Sequence, residues 1–131
     1  MAVQRGNDKI VKLLLQRCQD CNDKDGDGMT PLMYAVMGGH EDVVRTLLGN
    51  AALVSVQDGQ GRSPIHWAVA HQHGAILRLL LENCHGLSAA VNAYDGQGQA
   101  PLHMAIDLGF EDGVQMLLMY GADLGLRARK L

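Results

Sequence analysis

Three short glycine segments recur in register along this chain: Asp25-Gly26-Asp27-Gly28, Asp58-Gly59-Gln60-Gly61 and Asp95-Gly96-Gln97-Gly98. Their starts are 33 and then 37 residues apart. A small residue and then proline follow each one at Thr30-Pro31, Ser63-Pro64 and Ala100-Pro101. Leucine pairs keep the same register at Leu14-Leu15, Leu47-Leu48, Leu80-Leu81 and Leu117-Leu118, offset by 33, 33 and 37. Independent landmarks sharing one period of this size indicate stacked supersecondary units.

The physics of one unit follows from its punctuation. Asp-Gly after a short extended stretch signals a tight turn, because glycine accepts the positive φ such turns need. Thr or Ser before Pro reads as helix N-cap and first helical residue: the hydroxyl caps an orphan N–H, and proline has none to satisfy. The pattern predicts a first helix from Pro31 to about Met37, Pro64 to about His71 and Pro101 to about Leu108. Gly39 and Gly109 suit a left-handed helix stop. The second helix opens on acids that favour its positive end, Glu41-Asp42 and Glu111-Asp112. Its apolar residues Val43, Val44, Leu47 and Leu48 recur at helical spacing. Helices this short are not stable alone, so each pair requires its neighbours.

Composition agrees with such a layered helical chain. At 131 residues there is room for about one domain, and a 47% hydrophobic content allows a core that 4% aromatics leave to Leu, Val, Ile, Ala and Met. Three cysteines form no closed disulfide set and point to a reducing compartment. The N-terminal stretch lacks the apolar region of a signal peptide, and no apolar run reaches the roughly 18 residues of a membrane span. An intracellular location, cytoplasmic or nuclear, is expected, with no membrane insertion. The net charge of -3 and the missing basic stripe argue against nucleic acid.

Thr30-Pro31-Leu32-Met33-Tyr34-Ala35, Ser63-Pro64-Ile65-His66-Trp67-Ala68 and Ala100-Pro101-Leu102-His103-Met104-Ala105 resemble the T-P-L-H-x-A signature of ankyrin repeats. Gly38-Gly39-His40 between the helices and Gly121-Ala122-Asp123 after them match as well. The resemblance implies an all-α solenoid of stacked helix-turn-helix units with β-hairpin-like loops, spanning 1–131 as one domain. Its expected parts are a partial unit at 1–21, units at 22–54, 55–91 (with a loop insertion around His85–Ser88) and 92–124, and the start of a further repeat or a C-terminal tail at 125–131. Ala2 aligns with the signature Ala, so the chain opens inside a first helix, as an excised piece of a longer array would; a small natural protein with degenerate capping units is the competing reading.

Departures from the signature carry their own expectations. Gln72 replaces the inter-helix glycine, which either strains that turn or moves the stop to Gly74. Ala100 removes an N-cap hydroxyl, and Met33 removes a signature His whose relatives His66 and His103 are expected to bridge turns by hydrogen bonds.

Candidate chemistry is outweighed at each place by a structural reading. Asp23-x-Asp25-x-Asp27-Gly28 begins like a calcium loop, yet its ninth and twelfth positions are Pro31 and Tyr34, so it reads as a solvated turn tip. Cys18-x-x-Cys21 has no second ligand pair; Cys18 and Cys84 share the small-residue position ending the second helix and read as buried thiols. His40 and His73 follow the inter-helix turns, while His71 and His85 have no nucleophile or acid–base partner. D-G-x-G is never followed by the G-K-[ST] of a phosphate loop. Arg127, Arg129 and Lys130 read as solvated charges. Tyr34, Trp67 and Met104, at the variable signature position, read as inter-helix packing with one edge exposed. Asn22 and Asn92 stand where related proteins are sometimes hydroxylated, Asn92 in the better context.

No catalytic residue, metal or cofactor is expected. The resemblance implies a monomeric, non-catalytic module, part of a scaffold or regulator, that binds a protein or peptide through turn tips and first helices. Those positions are Lys24, Asp27, Met29 and Met37, then Gln57, Gln60, Arg62 and His71, then Tyr94, Gln97, Gln99, Asp107 and Leu108. The alternative is a regulatory segment of a larger enzyme or channel.

Overall fold

The computed structural model describes residues 26–49, 52–84 and 91–123. Among them are six helices in three pairs: α1 (Pro31–Met37) with α2 (Glu41–Gly49), α3 (Pro64–Ala70) with α4 (Gly74–Glu82), and α5 (Pro101–Leu108) with α6 (Glu111–Met119). The expected partial unit at 1–21, the loop around His85–Ser88 and the tail 125–131 lie outside the described residues. So do Cys18, Cys21, Asn22, Asp23 and Asp25.

Each pair stacks on the next through both members. First helices form one layer, with α3 against α1 and α5, and second helices form another, with α4 against α2 and α6. The core runs continuously along the seam between these layers. Leu32, Val36, Val43, Val44 and Leu47 from the first pair, Ile65, Val69, Leu77 and Leu80 from the second, and Leu102 and Leu117 from the third belong to one buried cluster. Short helices are thereby stabilised by tertiary packing rather than by propensity.

The helix starts show what each cap residue does. Thr30 Oγ1 accepts from the Met33 N–H (3.4 Å). At α3, Ser63 Oγ accepts from the His66 N–H (3.4 Å), and His66 Nδ1 accepts from the Ser63 N–H (3.1 Å), closing a reciprocal cap. Ala100 has no hydroxyl, so only half survives at α5: His103 Nδ1 accepts from the Ala100 N–H (3.0 Å). Met33, the residue replacing the signature His, is fully buried as part of the apolar interior.

The three inter-helix turns among the described residues use one hydrogen-bond pattern. The N–H groups of His40, His73 and Phe110 donate to the carbonyls of Ala35, Ala68 and Ala105 at 3.0, 3.0 and 2.9 Å. That geometry needs a left-handed residue, supplied by Gly39 (φ +73°) and Gly109 (φ +68°). In the middle turn Gln72 itself takes φ +54°, and Gly74 is the first residue of α4. The strained alternative is therefore the one adopted, because keeping the shared turn preserves the stacking of α4. A left-handed conformation costs an L-residue about 1–2 kcal/mol, and glycine returns about 0.4–1 kcal/mol of this through the unfolded chain. Gln72→Gly is thus expected to stabilise the protein by about 0.5–1 kcal/mol, read as a higher urea midpoint at unchanged slope.

Candidate binding face

The glycine turns come together along one edge, and each glycine of the D-G-x-G segment has a separate reason. The positive φ belongs to the second one: Gly28, Gly61 and Gly98 lie at +78°, +77° and +77°. The first one is held against the preceding tip. The Gly59 N–H donates to the Asp27 carbonyl (2.9 Å), and the Gly96 N–H donates to the Gln60 carbonyl (2.7 Å). A Cβ on Gly96 would stand 2.6 Å from that oxygen, and one on Gly61 would stand 2.7 Å from the Gly96 nitrogen. The tips form a backbone-bonded ladder with no space for side chains between rungs.

The aspartates opening the second and third segments, Asp58 and Asp95, are buried organisers. Asp58 Oδ1 accepts from the N–H groups of Gln60 (2.8 Å) and Arg62 (3.0 Å), which fixes the turn. Its Oδ2 accepts from Trp67 Nε1 (3.0 Å). Asp95 repeats the first half, with Gln97 and Gln99 N–H groups at 2.9 Å each. Met104 stands where Trp67 would be and has no side-chain N–H. Asp95 Oδ2 is therefore buried without a hydrogen bond, and its nearest cation is Arg62, whose Nε lies 3.7 Å away.

Between the tips and the first helices lies an open groove of about 900 Å³. Met29, Tyr34, Met37 and Trp67 give it apolar walls, and Asp27 and Gln60 stand among its polar lining. A smaller cleft of about 430 Å³ continues between the second and third tips, past Gln60, Arg62 and Gln97. Arg62 caps the Trp67 ring, its guanidinium carbon 5.1 Å from the centroid, while His71 stacks nearby with centroids 6.0 Å apart.

The structure distributes the residues expected to contact a partner unevenly. Asp27, Gln60 and Gln97 are exposed at the tips, and His71, Asp107 and Leu108 are exposed at the ends of first helices. Met37 is half-buried in the groove wall. Met29, expected as an exposed apolar spot, is instead buried, set into the groove wall alongside Tyr34 and the Asp58–Gly59 turn of the next unit. Gln57 is committed to the scaffold: its Nε2 donates to the carbonyls of Gly61 (2.8 Å) and Tyr94 (2.9 Å). Gln99 donates from Nε2 to Asp107 Oδ2 (2.9 Å), and Tyr94 stacks on His103 with centroids 6.3 Å apart. Arg62 is mostly covered by the contacts described above. Lys24 lies outside the described residues. Tyr34 and Trp67, read from sequence as packing residues, line the groove; their place at the variable signature position was the available signal.

Two buried polar groups lie away from this face. His66 donates from Nε2 to the Gln99 carbonyl (3.0 Å) of the following turn, so its Nδ1 is the acceptor. Burial holds its pKa below the ordinary histidine value, with smaller upward effects from the Gln99 carbonyl and Asp95. Cys84 is buried with its Sγ 3.4 Å from the Leu80 carbonyl, and burial raises its pKa, away from thiolate reactivity. Asn92, read as a modification candidate, uses both ends of its amide to tie loops together. Its Nδ2 donates to the Gly121 carbonyl (3.1 Å), and its Oδ1 accepts from the Asp123 N–H (2.9 Å).

Among the described residues no group of three or more His, Cys, Asp or Glu side chains is placed to hold a metal, and no helix is long and apolar enough to cross a membrane. No curated protein matches the chain. A family model described as ankyrin repeats (3 copies) matches residues 1–87 and 51–128. That span, the repeated capped helix pairs and the glycine ladder place this chain in the ankyrin-repeat family.

Proposed function

We propose that this chain is a non-catalytic interaction module that holds a peptide or protein segment against the groove between its turn tips and first helices. Ankyrin repeats are in general protein–protein interaction modules, and this array, read as units 22–54, 55–91 and 92–124, would serve a larger scaffold or regulator. The observation that carries the reading is the groove itself: thioether and aromatic side chains form its walls, with carboxylate and amide groups beside them. Met and aromatic side chains supply adaptable contact area, while the amides confer direction. Its dimensions suit an extended or helical segment that brings a few apolar anchors.

Arg62 is a poor residue for testing this, since truncating it removes the nearest cation from buried Asp95. Met37, Gln60 and Gln97 serve better, because none of their side chains supports the ladder. The triple change Met37→Ala, Gln60→Ala and Gln97→Ala is expected to reduce affinity capture of a partner by at least about tenfold. Far-UV circular dichroism and the urea midpoint should stay close to those of the parent chain. Undiminished capture by a folded triple variant would move the site off this groove.

A further inference from the structure

Two carboxylates are buried at the turn tips, and one cation faces them. Asp58 and Asp95 are 9% and 7% exposed. Asp58 accepts from three N–H groups, those of Gln60, Arg62 and the Trp67 indole, yet no cation among the described residues lies within ion-pair distance of it. Asp95 has Arg62 Nε at 3.7 Å and an Oδ2 without a hydrogen bond, on a side chain only 1% exposed. The other arginines of the described residues, Arg45 and Arg78, stand on α2 and α4 and pair there with Glu41, Asp42 and Glu82. No lysine occurs among the described residues. His66 adds no positive charge at neutral pH, because burial favours its neutral form. Two buried negative charges are thus set against one positive charge. Hydrogen-bonded dipoles ease that imbalance, but a buried charge is ordinarily met by an opposite one.

The groove is open on the side where the second positive charge is missing. Asp58 and the exposed Asp27 both line it, whereas no arginine or lysine of the described residues does. Tyr34 and Trp67 stand in the same walls, and the face of such a ring attracts a cation within about 6 Å of its centroid. Trp67 already holds Arg62 in this way, 5.1 Å away. The Arg62 guanidinium is therefore divided between an indole face and the orphan oxygen of Asp95, and Asp58 is left facing the groove. A cleft whose charged groups share one sign, between low-dielectric walls, concentrates ions of the other sign.

We propose that the segment bound in this groove carries an arginine or lysine whose cationic head lies against Tyr34 and Trp67, beside Asp27 and Asp58. This rests on the groove-binding reading above and names the chemistry of the bound segment. The head supplies the second positive charge, while its aliphatic stem runs along the apolar wall. With a second cation at the indole, Arg62 is free to close on Asp95 Oδ2 and turn a loose pair into a hydrogen-bonded one. A segment bringing a carboxylate to the same place would add to a negative charge that is already uncompensated.

The test pans the 131-residue chain against a random phage-displayed library of peptides about 12 residues long, roughly 40 Å when extended. Selected peptides are expected to share one Arg or Lys flanked by apolar residues, and to shift amide signals at residues 27–37 and 58–67. For one such peptide, replacing the shared base by Gln should weaken binding at least about tenfold in fluorescence anisotropy. Asp58→Asn should weaken the basic peptide about tenfold and the Gln peptide less than about twofold, since the coupling requires both charges. If Asp58→Asn does not fold, Asp27→Asn carries the same comparison. Groove-bound peptides without a shared base, or a Gln peptide that binds as tightly, would overturn the proposal and leave the groove reading standing. So would a variant that weakens both peptides alike, or spermidine binding as tightly as the basic peptide. No selected peptide, or shifts away from the groove, would overturn the groove reading and the proposal together.

Discussion

Gly61→Ala is expected to lower the stability of this protein by about 3 kcal/mol or more, a large share of what a domain of this size has. Two penalties coincide. A φ of +77° costs an alanine about 1–2 kcal/mol wherever it occurs. The new methyl would also sit 2.7 Å from the Gly96 nitrogen, the atom that donates to the Gln60 carbonyl, so the next tip must retreat and its rung must lengthen. Gly109→Ala separates the two effects, since its φ of +68° is similar and no atom lies within 4 Å of the added Cβ. Thermal unfolding should show a drop of about 4–8 °C per kcal/mol, with the Gly61 variant well below the Gly109 variant. Equal drops would mean that the ladder contributes nothing beyond backbone conformation.

His66→Ala should have an effect of similar size, for a different reason. Removing the ring empties a fully buried site, and it strands the Ser63 N–H and the Gln99 carbonyl that the ring joined. Each buried group left without a partner costs about 1–3 kcal/mol, and the cavity adds to that. A loss of about 3–5 kcal/mol is expected. The pH dependence has a definite sign. Burial lowers the folded-state pKa of His66 below its unfolded value of 6.5, so below that pH the unfolded chain takes up a proton that the folded one refuses. The stability contributed by neutral His66 is complete above about pH 6.5 and declines as pH falls toward the lower folded value. In urea titrations from pH 7.5 to 5, the gap between parent and His66→Ala should therefore narrow on acidification. A gap that stays constant or widens would show that the ring is not held neutral.

Much of this architecture was legible because its punctuation is local. Proline fixes the start of a helix, and Thr30 and Ser63 cap theirs whatever lies beyond the next turn. The leucine pairs keep their phase through the longer spacing between the second and third units. What could not be read depends on a neighbouring layer. Whether Gln72 would bend or the stop would shift turns on how α4 must stack. Asp58 and Asp95 look like tip residues until the preceding turn, at Gly28 and Gly61, packs against them, and only the Trp67–Met104 difference then separates a satisfied carboxylate from an unsatisfied one. The binding positions were harder still. Met29 and Gln57 occupy register sites that face outward in a generic unit, yet here one is covered and the other spans two tips. Exposure is a property of the stack, and a single unit's sequence does not contain it.

The ladder at the tips also has an elastic meaning. Along that edge adjacent layers are tied by short backbone hydrogen bonds between atoms with almost no slack, from Gly59 to Asp27 and from Gly96 to Gln60. Along the helix edge the same layers touch through Val, Leu and Ile, whose dispersion contacts are individually weak and nondirectional. A sheet bonded stiffly on one margin and softly on the other bends about the stiff margin. Thermal bending of this array is therefore expected to fan the helices open and closed more than it changes the spacing of the tips, so that a segment lying across them would meet a ruler of nearly fixed pitch.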